Sequence, residues 1–223
     1  IYRILEKPLN FYGSVAIFKD YPNFSFNNEK KKEEKDHFNK NYYYHLEKYD
    51  YLLDIDNEDL VKSYHTARKV KEVFDFYKAP YSLKFSGNKG FHFEILYDDF
   101  PEELKKMDFD EIAIVLKVFT ENLAKAFELE DIDLSVYDLR RLNKAPYSVV
   151  LPSYNIALPL DDDEFERFRD IDMHITNQIK NMDKFYKRGR LFRKGEKGAF
   201  ANMLNDFLSE ENDEENLNTW IVL

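Results

Sequence analysis

Three short stretches, far apart in the chain, carry side chains whose types and spacing suit phosphoryl chemistry. The first is residues 49–56 (YDYLLDID), where alternation along a strand puts Asp54 and Asp56 on one face. Two carboxylates so placed can share a metal ion. The second is residues 82–95 (SLKFSGNKGFHFEI), two apolar runs flanking a turn that carries Ser86, Lys89 and His92. Gly87 and Gly90 permit positive φ angles and close backbone approach, which bring N–H groups near an anion, while the lysine and imidazole add directed donors. The third is residues 133–148 (DLSVYDLRRLNKAPYS), in which Asp133 is followed by Arg140, Arg141 and Lys144.

Each stretch has a plainer reading. An Asp-x-Asp is weak in a chain with 43 acids, where Asp56 or Asn57 can simply cap a helix starting near Glu58. A Gly-x-Lys-Gly turn is more often a tight hairpin than an anion site, and Arg140 and Arg141 suit surface ion pairs. If Asp54, Asp56 and Asp133 came within about 4 Å of one another, each pair would repel by roughly 4 kcal/mol at an effective dielectric of 20. A retained proton or divalent cations must offset that, and Mg²⁺ or Mn²⁺ suit carboxylates and phosphates.

The elements that must position these groups follow from hydrophobic period. Residues 11–18 and 50–56 read as strands, and residues 58–77 as a helix with Leu60, Tyr64, Ala67, Val70, Val73, Phe74 and Tyr77 at helical spacing. Residues 81–85 and 91–96 pair as a hairpin around the glycine turn. Residues 110–127 form a second amphipathic helix, 149–151 and 156–160 short strands, and 162–186 a mainly helical stretch in which residues 161–164 (DDDE) are a helix start. Tyr42, Tyr43 and Tyr44 read as core and strand residues. Residues 27–36 are solvated surface and 209–216 weakly ordered. The alternation predicts an α/β (α+β) class with a mixed sheet carrying the site.

Composition bounds the function. The chain has 223 residues, 43% hydrophobic and 17% aromatic, and no run approaching a membrane span. With no cysteine, disulfides, iron–sulfur clusters and cysteine-ligated zinc are excluded within these residues. A cytoplasmic setting fits, and the start at Ile1 fits a trimmed domain. His37, His45, His65 and His174 show no ligand spacing. A net charge of −10 means that nucleic-acid binding needs a local patch. Residues 180–197 supply the candidate, with Lys187, Arg188, Arg190 and Arg193 among its cations and Tyr186 and Phe192 interleaved; a solvated helix and loop is the equal alternative.

Asp-x-Asp at a strand end, then Ser86-Gly-x-Lys-Gly-x-His92, then Asp133 with a downstream Arg141 and Pro146-x-Ser148, resembles the archaeo-eukaryotic primase superfamily over roughly residues 11–160. Lys144 stands where that family commonly has Arg, and Val150 where many members have His. The resemblance implies a catalytic core of two packed α/β modules, one RNA-recognition-like, with the acids between them. It implies two Mg²⁺ or Mn²⁺ ions on Asp54, Asp56 and Asp133, and a nucleotide on Ser86, Lys89, His92, Arg141 and Lys144, with Arg140 as the alternative to Arg141. The implied activity is DNA-templated synthesis of short RNA or DNA primers on single-stranded DNA from NTP or dNTP. A primase-polymerase that extends primers in repair or plasmid replication is the alternative, and a non-catalytic nucleic-acid-binding scaffold is the alternative of another class. Residues 1–205 are then one catalytic domain with a basic extension from about 161. Residues 206–223 form an acidic segment whose Trp220 to Leu223 end docks a large regulatory subunit or fused helical domain, or closes the core. Tyr12 and Tyr81 are the guesses for the wall beside the sugar.

Overall fold

The computed structural model describes residues 12–19, 42–170 and 191–209. Strands β1 (Tyr12–Ser14) and β2 (Ala16–Phe18) share the first predicted strand, broken at Val15. A 3₁₀ turn, Tyr42–His45, leads into β3 (Leu46–Tyr49) and β4 (Tyr51–Asp56). The tyrosine run is therefore helical rather than strand, and Tyr44 is exposed. Helix α1 (Leu60–Phe76) joins β4 to β5 (Ser82–Phe85), which turns back into β6 (Gly90–Ile95). The short α2 (Glu102–Lys105) and long α3 (Phe109–Ala126) follow. Then come β7 (Leu142–Lys144), β8 (Val149–Val150), β9 (Asn155–Ile156), β10 (Leu158–Pro159), α4 (Asp162–Glu166) and α5 (Ala199–Leu208).

The main sheet has the order β10-β5-β6-β4. The expected α/β class holds, but every strand pair among the described residues is antiparallel, where a mixed sheet was expected. The reason is topological. Helix α1 carries the chain from β4 past one position to β5, and β6 then inserts between them, so the two parallel strands of a β-α-β unit never touch.

The register divides the sheet into two chemically distinct faces. Tyr51, Leu53 and Ile55 alternate with Leu52, Asp54 and Asp56 along β4, and the partner residues Ile95, Phe93 and Phe91 continue the apolar face onto β6. That face packs under α1 and α3: Phe74 of α1 meets Phe93 edge-on, and Tyr51 meets Phe119 of α3 edge-on. The Tyr51 hydroxyl is satisfied inside the core by Thr120 at 3.0 Å. Phe200 of α5, an element the sequence reading did not separate, closes against Tyr51 and Phe119.

Helix starts are set by side-chain caps. Asp59, not Asp56 or Asn57, caps α1 by accepting from Val61 N at 2.9 Å, which leaves Asp56 available. Asp108 with Glu111, and Asp161 with Glu164, form capping boxes on α3 and α4. Helix α4 ends after one turn in a 3₁₀ segment, Phe168–Asp170; the rest of the predicted 162–186 helix, like residues 27–36 and 210–223, lies outside the described residues. Among the described residues no helix is long and apolar enough to cross a membrane.

The tightest backbone contact in the sheet is at Gly90, where an added Cβ would lie 1.8 Å from the Ile55 carbonyl oxygen of β4. Gly90→Ala is expected to cost at least ~3 kcal/mol by forcing β6 away from β4. Gly13→Ala, with nothing within 4 Å of the new methyl, is the matched control. Urea unfolding of the two variants checks this; equal midpoints would show that β4 and β6 can part without cost.

Candidate functional site

The second face of the sheet carries the chemistry. Antiparallel register sets Asp54 opposite His92 and His92 opposite Lys84, so the three side chains lie in one row on that face. A neighbouring row is Leu52, Glu94 and Ser82, and Asp56 faces Gly90 beyond the other side. The far edge of β4 receives one more segment through a bridge between Ile55 and Ile132, with Asp133 N donating to Asp54 O at 2.9 Å. Asp133 thereby comes alongside Asp54. Residues almost eighty apart in the chain become neighbours because one backbone bridge joins the loop to the strand edge.

Each of the three carboxylates is met by a basic side chain. His92 Nε2 lies 3.3 Å from Asp54 Oδ1, Lys89 Nζ lies 3.7 Å from Asp56 Oδ1 and 2.6 Å from Glu58 Oε1, and Arg141 donates to Asp133 Oδ2 at 2.8 Å. Burial pushes the Asp54 carboxyl up, but His92, Arg141 and Lys84 outweigh it and hold the group below the usual carboxylate range. Asp56 moves the other way. Burial raises it, Lys89 opposes, and Asp54, Asp133 and Glu58 add like-charge repulsion, leaving it above the ordinary value. His92 is buried and its Nδ1 has no hydrogen-bond partner in the protein.

The turn before His92 is half-buried, with Asn88 its exposed tip. Gly87 adopts φ +87°, and a Cβ there would lie 2.4 Å from Val150 Cγ2, so glycine is required both by conformation and by the approach of β8. Gly90 serves through close approach alone. Ser86 Oγ accepts from Gly90 N at 3.2 Å, and Ser63 of α1 donates to Lys89 O at 2.6 Å, tying the turn to the helix.

These groups line one cleft of about 250 Å³ with Tyr12, Asn88, Leu142, Asn143, Val150 and Leu151. Asp54, Asp56, Ser86, Lys89, His92, Arg141 and Lys144 all border it, and Asp133 joins through Arg141. Between the two arginines the choice is plain: Arg140 folds back onto Asp138 at 3.0 Å, away from the cleft. Lys144 donates to the Tyr12 hydroxyl at 2.6 Å and sits over its ring. Tyr12 borders the cleft, whereas Tyr81 is fully buried beneath Phe74 and cannot form part of its wall.

The acids were expected to crowd until metal or proton relieved them, but among the described residues no three His, Asp or Glu side chains are close enough together to hold a metal ion. Basic side chains stand against the acids instead. Arg193 of the basic stretch pairs with Asp162 at 2.7 Å and sits over the Tyr81 ring. Lys187, Arg188 and Arg190 lie outside the described residues.

Sequence reasoning missed Glu58, Lys84, Glu94 and Asn143. Glu58 carried a signal, since its position before the cap of α1 brings it to the Lys89 turn. The others read as ordinary strand and loop residues, and only the cross-strand register reveals them.

No protein-family model matches the chain. Among curated proteins it is similar to an uncharacterized protein of Methanocaldococcus jannaschii, at 28% identity over 154 residues covering 62% of this chain and 35% of that protein. The matched region thus spans about a third of the relative's length. Among solved structures it is similar to the polymerase domain of Mycobacterium tuberculosis ligase D in complex with DNA, with a TM-score of 0.48, 15% sequence identity, and coverage of 82% of this chain and 61% of that one.

Proposed function

We propose that this chain is a metal-dependent, DNA-templated nucleotidyltransferase of the primase class, making short RNA or DNA primers on single-stranded DNA. The observation that carries the reading is the convergence of the Asp54/Asp56, Ser86-to-His92 and Asp133/Arg141/Lys144 stretches on one cleft, with acids and cations interleaved. Phosphoryl transfer needs that mixture: carboxylate oxygens for hard divalent cations, and donors for phosphate oxygens.

By type, though not grouped closely enough among the described residues to hold an ion as they stand, Asp54, Asp56 and Asp133 are oxygen donors suited to Mg²⁺ or Mn²⁺. When bound, the ions would acidify a primer 3′-hydroxyl and offset charge on the departing pyrophosphate. The protein's own groups do the rest. Lys89 and Arg141, released from Asp56 and Asp133, turn to the triphosphate; Arg141 offers a planar fork and Lys144 a point charge. His92, whose Nε2 faces Asp54 at 3.3 Å, is the imidazole proposed to donate to a triphosphate oxygen. Ser86 supplies a hydroxyl from the turn.

The same chemistry serves a primase-polymerase that extends primers with dNTP, and separate assays with NTP or dNTP, with and without a primer, distinguish the two. Against a scaffold without turnover stands the retention of all three acids, Asp54, Asp56 and Asp133. Residues 1–205 are proposed as the catalytic unit, with Lys187, Arg188 and Arg190 as template contacts and a large regulatory subunit or fused helical domain as partner.

Asp54→Asn or Asp133→Asn is expected to lower nucleotide incorporation with Mg²⁺ or Mn²⁺ by about 100-fold or more while single-strand binding persists. Incorporation near the wild-type rate would remove these acids from the mechanism.

Asp56 makes a second test through stability. A carboxyl raised on folding stabilises the protein below its unfolded value of about 3.9 and loses that contribution as pH rises through the folded value. At neutral pH its charge is therefore a net cost. Asp56→Asn should raise the metal-free melting temperature by about 2 °C at pH 7 and by nothing at pH 3, while lowering incorporation. A fall in melting temperature at pH 7 would contradict the assigned repulsion.

A further inference from the structure

Beneath the cleft, a buried ionic network plays no part in the chemistry assigned above. Lys84 is 3% exposed, yet its ammonium is engaged by Asn143 Oδ1 at 3.0 Å, by the Lys144 carbonyl at 2.5 Å and by Glu94 Oε1 at 3.5 Å. The Asn143 amide in turn donates to Glu94 Oε1, and Ser82 Oγ donates to Glu94 Oε2 at 3.4 Å. A buried ion pair of this kind is seldom retained for stability, because apolar side chains of similar volume often do as well or better. Its distinctive property is geometric: three charge-assisted bonds fix one strand against another.

The strands it joins matter. Lys84 and Glu94 belong to β5 and β6 of the main sheet, whereas Asn143 and Lys144 belong to β7, whose ladder partner is β1. Strand β7 begins immediately after Arg141 and ends at Lys144, the two cations on this wall of the cleft. Lys84 also shares its row with His92 and Asp54.

We infer that Lys84, with Glu94 and Asn143, is a positioning clasp that holds β7 on the main sheet and so sets Arg141 and Lys144 at phosphate-binding distance from the Asp54–His92 pair. The clasp rests on the nucleotide reading of the cleft for its purpose, but its geometry can be tested without it. Lys84 and Glu94 touch β7 and do not border the cleft, and Asn143 both joins the clasp and borders the cleft.

The test is Lys84→Met and Asn143→Ala in the full chain, with two readouts. Equilibrium binding of ATP with Mg²⁺ should weaken about tenfold in each, the loss expected when a charge-assisted contact no longer orients its dependants. Hydrogen exchange of the peptide spanning residues 141–145 should accelerate about tenfold or more, while α3 keeps its protection. A clasp acting through Arg141 adds little to Arg141→Ala, so the double variant Lys84→Met/Arg141→Ala should bind ATP within about threefold of Arg141→Ala alone. A merely stabilising lysine would give additive losses. Asn143→Ala leaves the Lys84–Glu94 pair inside the sheet and carries the test if Lys84→Met does not fold. Wild-type exchange and ATP affinity in the folded variants would overturn the clasp. Accelerated exchange in a protein whose wild type binds no ATP would uphold the clasp and overturn the nucleotide reading instead.

Discussion

The site depends on one constraint: antiparallel register places directly opposed residues on the same face of a sheet. Along β4, β6 and β5 that rule lines up Asp54, His92 and Lys84, an anion between a ladder edge and two basic side chains. The bridge at Ile132 then brings Asp133 to the open edge of β4. A slip of one residue in any of these pairings would send the charges into the apolar layer under α1 and α3. The same register that buries Leu53, Ile55, Phe91 and Phe93 therefore exposes the acids to the cleft.

Counter-charges make that arrangement tenable without any ligand. Asp54, Asp56 and Asp133 each have a basic partner, and two of those partners, Lys89 and Arg141, are the groups proposed for phosphate. Under that proposal a divalent cation on the acids would free the partners for phosphate, and phosphate would free the acids for the cation, coupling the two ligands through exchange of ion pairs. Asp54 and Asp56 differ electrostatically: burial raises the first, but His92, Arg141 and Lys84 outweigh it and hold the group below the ordinary carboxylate range, whereas burial, with smaller like-charge contributions, leaves the second above it.

The aromatic core supplies the rigidity such a site needs. Tyr51, Phe74, Phe93, Phe119 and Phe200 interlock beneath the cleft-bearing face, and Tyr64 packs with Phe91, Phe165 and Phe168 below the glycine turn. Side chains locked in this way hold the backbone of β4 and β6, and through it the carboxylates and imidazole, in fixed relation.

Much of this was legible in residue order. The α1 and α3 helices, the hairpin and the strand bearing Asp54 and Asp56 were announced by hydrophobic period and turn glycines, because those signals are local. The short strand β7 was not, since a three-residue strand has no period of its own and exists only by pairing with β1. Asp59 rather than Asp56 as the cap, and Arg141 rather than Arg140 at the cleft, were choices between adjacent residues that composition cannot make. Arg193 looked like part of a basic run but was claimed by Asp162 and Tyr81, partners distant in sequence.

By itself the sequence determined which residue types were present, their spacing along each strand and turn, and hence the kinds of chemistry open to the chain. Tertiary structure alone decided that Asp133 stands beside Asp54, that each acid is paired with a basic side chain, and that Lys84 and Glu94 are buried under β7. The physical reason is range: periodicity and capping act over a few residues, whereas charge pairing across strands is set by register and by the packing that closes one face of the sheet.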